Sequence, residues 1–146
     1  MALKRTSTAV WRGNGPQGTG TISTLSGALS KQPYGFNTRF ASEDGKAGTN
    51  PEELLGAAHA SCFTMAVAFA LTAEKLEATE LSTVATVLLE KQDAGWTVTK
   101  IELALEGSVP NIDAAKFQAI AEGAKKNCPI SRALAATPMT LTATLR

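Results

Sequence analysis

The sequence is poor in the residue types from which most metal and cofactor sites are built. Its 146 residues include two cysteines and one histidine, so the Cys/His clusters of zinc sites are missing. There is also no CxxC pair, no glycine-rich phosphate loop and no GxSxG nucleophile turn. We therefore expect neither a metal nor a bound cofactor.

Excess charge is also lacking. Fourteen Lys and Arg residues against 13 Asp and Glu give a formal net charge of +1, so the composition gives no reason to expect nucleic acid or an acidic membrane as a partner. Residues 1–11 have no apolar segment typical of a secretory signal, and we expect a cytoplasmic protein. In that reducing compartment a lasting structural disulfide is not expected, so the two thiols are either inert or redox-active.

One long apolar stretch, NPEELLGAAHASCFTMAVAFALT at residues 50–72, is present and dominates the sequence. It begins with signals of a helix start, because Asn50 can cap free backbone N–H groups and Pro51 suits the first helical position. Glu52 and Glu53 follow where the helix dipole favours negative charge. We therefore predict a helix that starts next to Asn50.

The predicted helix is apolar on every side, and such a helix must be buried in a protein core or in a membrane. About 20 apolar residues can cross a bilayer. This run, however, is rich in alanine, contains His59 near its centre and has no flanking Lys/Arg cluster. We predict a buried core helix and no membrane partner.

Strand and helix signals elsewhere predict an α+β fold in a single domain, 1–146. Clustered strands, rather than alternating strand and helix units, favour mostly antiparallel pairing. The predicted segments are strands at 4–12, 19–25 and 28–30, a loop at 31–49, a hairpin of 81–92 and 96–107, helices at 113–126 and from Pro129, and a strand at 139–145.

The central helix also predicts a homodimer. Five or six strands form a sheet that covers one face of a helix, whereas this helix needs cover on all of them. A second copy of the chain is the simplest source of that cover. We expect antiparallel sheets wrapped around a long buried central helix in an intertwined homodimer.

Each candidate reactive residue has two interpretations. Cys62, inside the apolar helix, is an inert hydrophobic residue unless a cation such as Arg39 stabilises its thiolate. Cys128 either caps the helix that starts at Pro129 or gains thiolate character from that helix end. His59 is either a hydrogen-bonded core residue or the base of a Cys–His hydrolase. A protein that binds an apolar ligand also remains open.

Three segments carry a family resemblance: QPYGFNTRF at 32–40, GTNPEELLGAAHASCF at 48–63 and NCPISRAL at 127–134. They resemble the OsmC/Ohr family of thiol peroxidases, in particular its osmotically inducible branch, and the similarity extends over essentially the whole chain. The resemblance implies an α+β homodimer whose sheets wrap two central helices.

The resemblance also implies an activity: reduction of organic hydroperoxides, and less readily hydrogen peroxide, in oxidative and osmotic stress defence. Cys62 matches the peroxidatic cysteine and Cys128 the resolving cysteine with which it forms an intramolecular disulfide. Arg39 matches the activating arginine and Glu52 the carboxylate that orients it. The implied reductant is a dithiol, of lipoyl type in the sister branch. That branch has an aromatic residue in place of His59, so the resemblance assigns His59 no role.

Helix geometry predicts that the site is shared between two chains. Glu52 and Cys62 are ten residues apart, which is about 15 Å along one helix. The resemblance nevertheless implies that the arginine contacts both. We expect two central helices to pack antiparallel, so that Glu52 of one chain approaches Cys62 of the other, and we leave open which chain supplies Arg39.

Overall fold

The computed structural model describes all 146 residues, in two compact units at 1–54 and 55–146. It confirms the α+β class. The elements are β1 (Ser7–Arg12), β2 (Thr19–Thr24), β3 (Gln32–Gly35), a π-helical turn (Asn37–Ala41), α1 (Pro51–Ala73), β4 (Glu80–Gln92), β5 (Gly95–Ser108), α2 (Ala114–Asn127), α3 (Pro129–Ala133) and β6 (Met139–Leu145).

The first unit contains an antiparallel sheet in the order β1-β2-β3. Gly20 on β2 lies opposite Trp11 on β1 and Tyr34 on β3, whose rings are 5.5 Å apart. A Cβ atom at Gly20 would lie 2.3 Å from the Tyr34 ring. Glycine is therefore required where the two aromatic side chains cover the middle strand.

The strand predicted at 28–30 is wrong, and the predicted loop at 31–49 contains both β3 and the π-helical turn. Thr24 and Leu29 close a loop through a hydrogen bond from the Thr24 N–H to the Leu29 carbonyl and another from the Leu29 N–H to Thr24 Oγ1. Lys31 follows with a left-handed φ of 51°, and the strand begins only after it. Pro33 is tolerated because β3 lies at the edge of the sheet.

The second unit contains a mixed sheet in the order β4-β5-β6. The predicted hairpin of β4 and β5 is confirmed, with a two-residue turn rather than a three-residue one, since Gln92 pairs with Gly95. The expectation of antiparallel sheets fails at β6, which runs parallel to β5 from the pair Ile101 and Met139 onward. A parallel pair needs a crossover connection, and α2 and α3 provide it.

Alternate residues of β5 form the centre of the core. Ile101, Leu103 and Leu105 are buried together with Phe117 and Ala121 of α2. One stripe of α1 joins the same unit's interior: Gly56, His59, Phe63, Val67 and Leu71. The 3.6-residue period of these positions explains why one face of α1 is buried.

Part of α1 remains exposed within the single chain. Met65 is 61% exposed and Phe69 is 70% exposed, so the prediction of a helix buried on all sides does not hold for one chain alone. The helix is long and apolar enough to cross a membrane by length and composition, a property that core helices share. Cover by a second chain stays a prediction.

Candidate active site

The two cysteines lie side by side in the second unit. Cys62 is on α1 and Cys128 precedes α3, and their Sγ atoms share a hydrogen bond 3.1 Å long. Both thiols are reduced. A disulfide requires an S–S distance of about 2.05 Å, so a movement of roughly 1 Å would join them.

Cys128 takes its position from the start of α3. Pro129 occupies the first turn of that helix, and the backbone N–H of Ser131 donates a hydrogen bond to Cys128 Sγ at 3.5 Å. The predicted capping role of Cys128 is confirmed. The helix α3 that it caps is short and ends at Ala133. The sulfur therefore occupies the cap position that an oxygen usually takes.

The surroundings shift the two thiol pKa values in opposite directions. Burial raises the pKa of Cys62; a hydrogen bond from the backbone N–H of Ile130 opposes the rise, and Cys128 adds to it. Burial also disfavours ionisation of Cys128, but hydrogen bonds from the Ser131 backbone, the Cys62 thiol and the Ser131 hydroxyl outweigh it and lower the pKa of Cys128. Within this pair Cys128 is thus the thiol that ionises more readily.

Arg39 and Glu52 form a second pair, in the first unit. Arg39 Nη2 donates to Glu52 Oε1 at 2.6 Å, and Arg39 Nε donates to Oε2 at 3.1 Å. The Glu52 side chain is 12% exposed and that of Arg39 is 36% exposed. The Arg39 guanidinium also lies over the Phe40 ring, 4.9 Å from its centroid. A two-point ion pair of this kind fixes the plane of the guanidinium.

Asn50 links the segment that carries Arg39 to the helix that carries Glu52. Its Oδ1 accepts the Glu53 N–H at 2.8 Å and caps α1 as predicted, while its Nδ2 donates to the Thr38 carbonyl at 3.3 Å. Arg39 itself lies on the π-helical turn Asn37–Ala41, a rare conformation that is common at functional sites.

His59 is a hydrogen-bonded core residue, one of the two interpretations of the sequence. It is fully buried, and its Nε2 lies 2.8 Å from Ser131 Oγ. Burial lowers the His59 pKa, so the ring is neutral. Its Nδ1 has no hydrogen-bond partner. His59 therefore makes no hydrogen bond to Cys62, whereas a Cys–His hydrolase would need one.

The sequence interpretation missed Ser131. This residue is 6% exposed and contacts both His59 and Cys128. The signal available was local: a serine three residues after a capping residue lies on the first turn of the helix, where its backbone N–H faces the cap.

No metal-binding group of three or more His, Cys, Asp or Glu residues is present.

The chain is similar to known proteins over most of its length. Residues 43–143 match the family model of OsmC-like proteins. The chain is 49% identical over 136 residues to the peroxiredoxin OsmC of Escherichia coli strain K12, with 93% of each protein covered.

Solved structures share the fold. The organic hydroperoxide resistance protein OhrB of Bacillus subtilis superposes with a TM-score of 0.68 at 25% identity, covering 97% of this chain and 98% of OhrB. An OsmC-like protein of unknown function from Vibrio cholerae gives a TM-score of 0.76 at 17% identity, covering 97% of this chain and 99% of the other. The chain therefore belongs to the OsmC family, and it is a cysteine-based peroxidase.

Proposed function

We propose that the chain reduces organic hydroperoxides, and hydrogen peroxide less readily, with Cys62 as the peroxidatic thiol and Cys128 as the resolving thiol. The observation that carries this proposal is the 3.1 Å separation of two reduced Sγ atoms on different elements. The substrate class rests on the names of relatives such as OhrB of Bacillus subtilis, an organic hydroperoxide resistance protein. The apolar residues around Cys62 suit a peroxide that bears a hydrocarbon group.

The proposed reaction proceeds in three steps. The Cys62 thiolate attacks the distal peroxide oxygen, the O–O bond breaks, and an alcohol or water leaves, so that Cys62 becomes a sulfenic acid. The Cys128 sulfur then attacks the Cys62 sulfur, and the S–O bond breaks with release of water as the disulfide forms. An external dithiol, proposed to be of lipoyl type, reopens the disulfide by thiol exchange.

This mechanism requires a cation beside Cys62, because burial raises the pKa of that thiol. We assign this role to Arg39, whose guanidinium stays charged and is oriented by Glu52. The bonds to Glu52 use Nε and Nη2, so Nη1 is the part of the guanidinium proposed to face the thiolate. The same cation would stabilise the negative charge that develops on the leaving oxygen.

The proposed active assembly is an intertwined homodimer of a single 146-residue domain. Its support is the uncovered apolar surface of α1, including Met65 and Phe69, and the exposure of every residue of β1. Two α1 helices that pack antiparallel would bring Glu52 of one subunit near Cys62 of the partner subunit. Since Arg39 is bonded to Glu52 of its own chain, the proposal assigns both residues to the same subunit.

The roles of the two thiols can be separated by substitution. Cys62→Ser should abolish peroxide consumption, whereas Cys128→Ser should complete one turnover and then accumulate sulfinic and sulfonic forms of Cys62. Mass spectrometry after peroxide addition measures these forms. An unmodified Cys62 in the Cys128→Ser protein would contradict the assignment.

A count of free thiols before and after addition of hydroperoxide distinguishes a peroxidase from a hydrolase and from a carrier of apolar ligands. A peroxidase with this mechanism has two free thiols before one equivalent of hydroperoxide and none afterwards, while a hydrolase or an apolar-ligand carrier keeps both. We propose that the reaction takes place in the cytoplasm, without a metal, a cofactor, nucleic acid or a membrane.

A further inference from the structure

The proposed mechanism leaves one buried titratable residue without a task. His59 lies three residues before Cys62 on α1, is fully buried, and bonds through Nε2 to Ser131 Oγ at 2.8 Å. A neutral imidazole carries one N–H and one lone pair, so only one of the two can face the hydroxyl.

Ser131 lies between His59 and the resolving cysteine. Its backbone N–H donates to Cys128 Sγ at 3.5 Å, and its hydroxyl is bonded to His59. Ser131 is thus bonded through its side chain to a residue of α1 and through its backbone N–H to the sulfur that caps α3.

The buried Nδ1 of His59, which has no partner, decides the direction of the bond to Ser131. If the Ser131 hydroxyl donated to Nε2, the imidazole N–H would lie on Nδ1, where a buried donor has no acceptor. With the N–H on Nε2, His59 donates to Ser131 Oγ and Nδ1 keeps only a lone pair. The second arrangement avoids a buried unpaired donor.

We propose that His59 and Ser131 form a buried relay of hydrogen bonds, from His59 Nε2–H to Ser131 Oγ and from the Ser131 backbone N–H to Cys128 Sγ, that positions the resolving sulfur for attack on the oxidised Cys62. The inference rests on the proposed function, since it concerns the second step of that reaction. His59 and Ser131 are positioning residues: they act through Cys128 and do not touch the peroxide.

The relay also connects the helices that carry the two thiols. His59 is on α1 with Cys62, while Ser131 is on α3, whose cap is Cys128. Each hydrogen bond of the relay therefore restrains α3 against α1 at the point where the sulfurs meet. The titratable groups facing Cys128 are Cys62 and, through Ser131, His59, which contributes a hydrogen bond and no charge.

The test uses three variants that differ in which hydrogen-bonding group of the relay they remove or keep. Ser131→Ala removes the hydroxyl, His59→Leu keeps bulk but has no donor, and His59→Gln places an amide N–H near the position of Nε2. In a Cys62→Ser background without peroxide, the pH midpoint for alkylation of Cys128 should rise in Ser131→Ala and His59→Leu and stay near that of the parent in His59→Gln.

Two single-turnover measurements separate the steps. In a Cys128→Ser background, where the Cys62 sulfenic acid is not resolved, trapping by dimedone should proceed at the same rate with each of the three changes as without it. In the two-cysteine protein, disulfide formation should slow on the order of tenfold in Ser131→Ala and His59→Leu, the effect expected from the loss of a hydrogen bond to a charged group. His59→Gln should restore most of that rate.

The outcomes distinguish failure of the proposed function from failure of the relay alone. Absence of a trappable sulfenic acid at Cys62 in the Cys128→Ser protein would refute the proposed function itself. Normal trapping with an unchanged disulfide rate and an unchanged Cys128 midpoint in Ser131→Ala would overturn the relay alone. If His59→Leu fails to fold, Ser131→Ala and His59→Gln still decide: a folded His59→Gln protein as slow as Ser131→Ala would refute donation from Nε2.

Discussion

At the scale of single residues, the proposed mechanism makes the reactivity of Cys62 depend on where the positive charge of Arg39 is held. A free thiol of pKa about 8.5 is only about 3% ionised at pH 7, and burial moves Cys62 further from ionisation. Arg39 is bonded to Glu52 at two points, so its guanidinium cannot rotate freely. A fixed cation of this kind can offset burial at a thiol that lies next to it.

Replacement of Arg39 tests this electrostatic role. Arg39→Ala should raise the pKa of Cys62 and slow its alkylation at pH 7 roughly tenfold or more. Arg39→Lys should recover part of the rate, because lysine keeps the charge but loses the planar fork that pairs with Glu52. Iodoacetamide modification followed against pH gives both quantities.

Glu53→Ala is the matched control for the acidic partner. Glu53 is an exposed carboxylate next to Glu52, so its removal should leave the alkylation rate unchanged, whereas Glu52→Ala should reduce it. Identical alkylation profiles for Arg39→Ala and the parent would rule out Arg39 as the activating cation.

His59 links stability to pH. Burial lowers its pKa below the ordinary value of 6.5, so between those two values the unfolded chain binds a proton that the folded chain does not. The free energy of unfolding should therefore decrease as the pH falls below about 6.5. Urea midpoints at pH 7.5 and 5.5 should differ more in the parent than in His59→Gln, which has no such group; an equal loss in both would show that His59 is not the cause.

At the scale of helices and strands, the local signals were sufficient for most of the fold. The cap at Asn50, the cap at Asp113 and the alternation through β6 are contained in a few neighbouring residues, and the corresponding elements begin where predicted. β3 was missed because its structure comes from pairing with β2 across a loop, and Pro33 argues against a strand when read alone.

The active site also contains residues that local motifs predict and residues whose role depends on distant contacts. Cys62, Cys128, Arg39 and Glu52 were predicted from motifs, and the structure brings them together as two pairs. Ser131 was missed because its partner His59 is 72 positions away in the sequence, a distance over which no periodic pattern connects two residues. The opposite pKa shifts of the thiols were also beyond prediction, since they depend on how many hydrogen bonds each sulfur receives.

Two glycines test the packing between α2 and the mixed sheet. A Cβ atom at Gly107 on β5 would lie 2.4 Å from the Phe117 ring of α2, so Gly107→Ala should destabilise the fold by about 1–3 kcal/mol. Gly123 on α2 has nothing within 4 Å of such an atom, and Gly123→Ala should stabilise the helix by roughly 0.5–1 kcal/mol. Chemical denaturation measures both; equal effects of the two changes would contradict this packing.

At the scale of the whole molecule, α1 exposes large apolar side chains at the surface of the single chain. Phe69 and Met65 are large apolar side chains that remain more than half exposed in the single chain. A second copy that covered them would form a large apolar interface of the obligate kind. The proposed shared site makes activity a property of that assembly.

Subunit mixing tests the shared site directly. Glu52→Ala and Cys62→Ser proteins should each be nearly inactive, while a heterodimer of the two should regain one working site out of two. That site would combine Cys62 of the first chain with Arg39 and Glu52 of the second. Activity of purified heterodimers, formed with two different affinity tags, is the measurement. No recovery in verified heterodimers, or full turnover by a monomer, would refute the shared site.

The contact between the two sulfurs has a consequence for the working life of the catalyst. In the proposed mechanism, ring closure is an intramolecular reaction between pre-oriented atoms, because Cys128 Sγ already lies 3.1 Å from Cys62 Sγ. A second peroxide molecule, which must arrive by diffusion, would compete with a neighbour that is already in place. The fraction of turnovers lost to irreversible damage should therefore be small even during a peroxide surge, and the supply of reducing dithiol, rather than loss of active protein, should set the detoxification capacity.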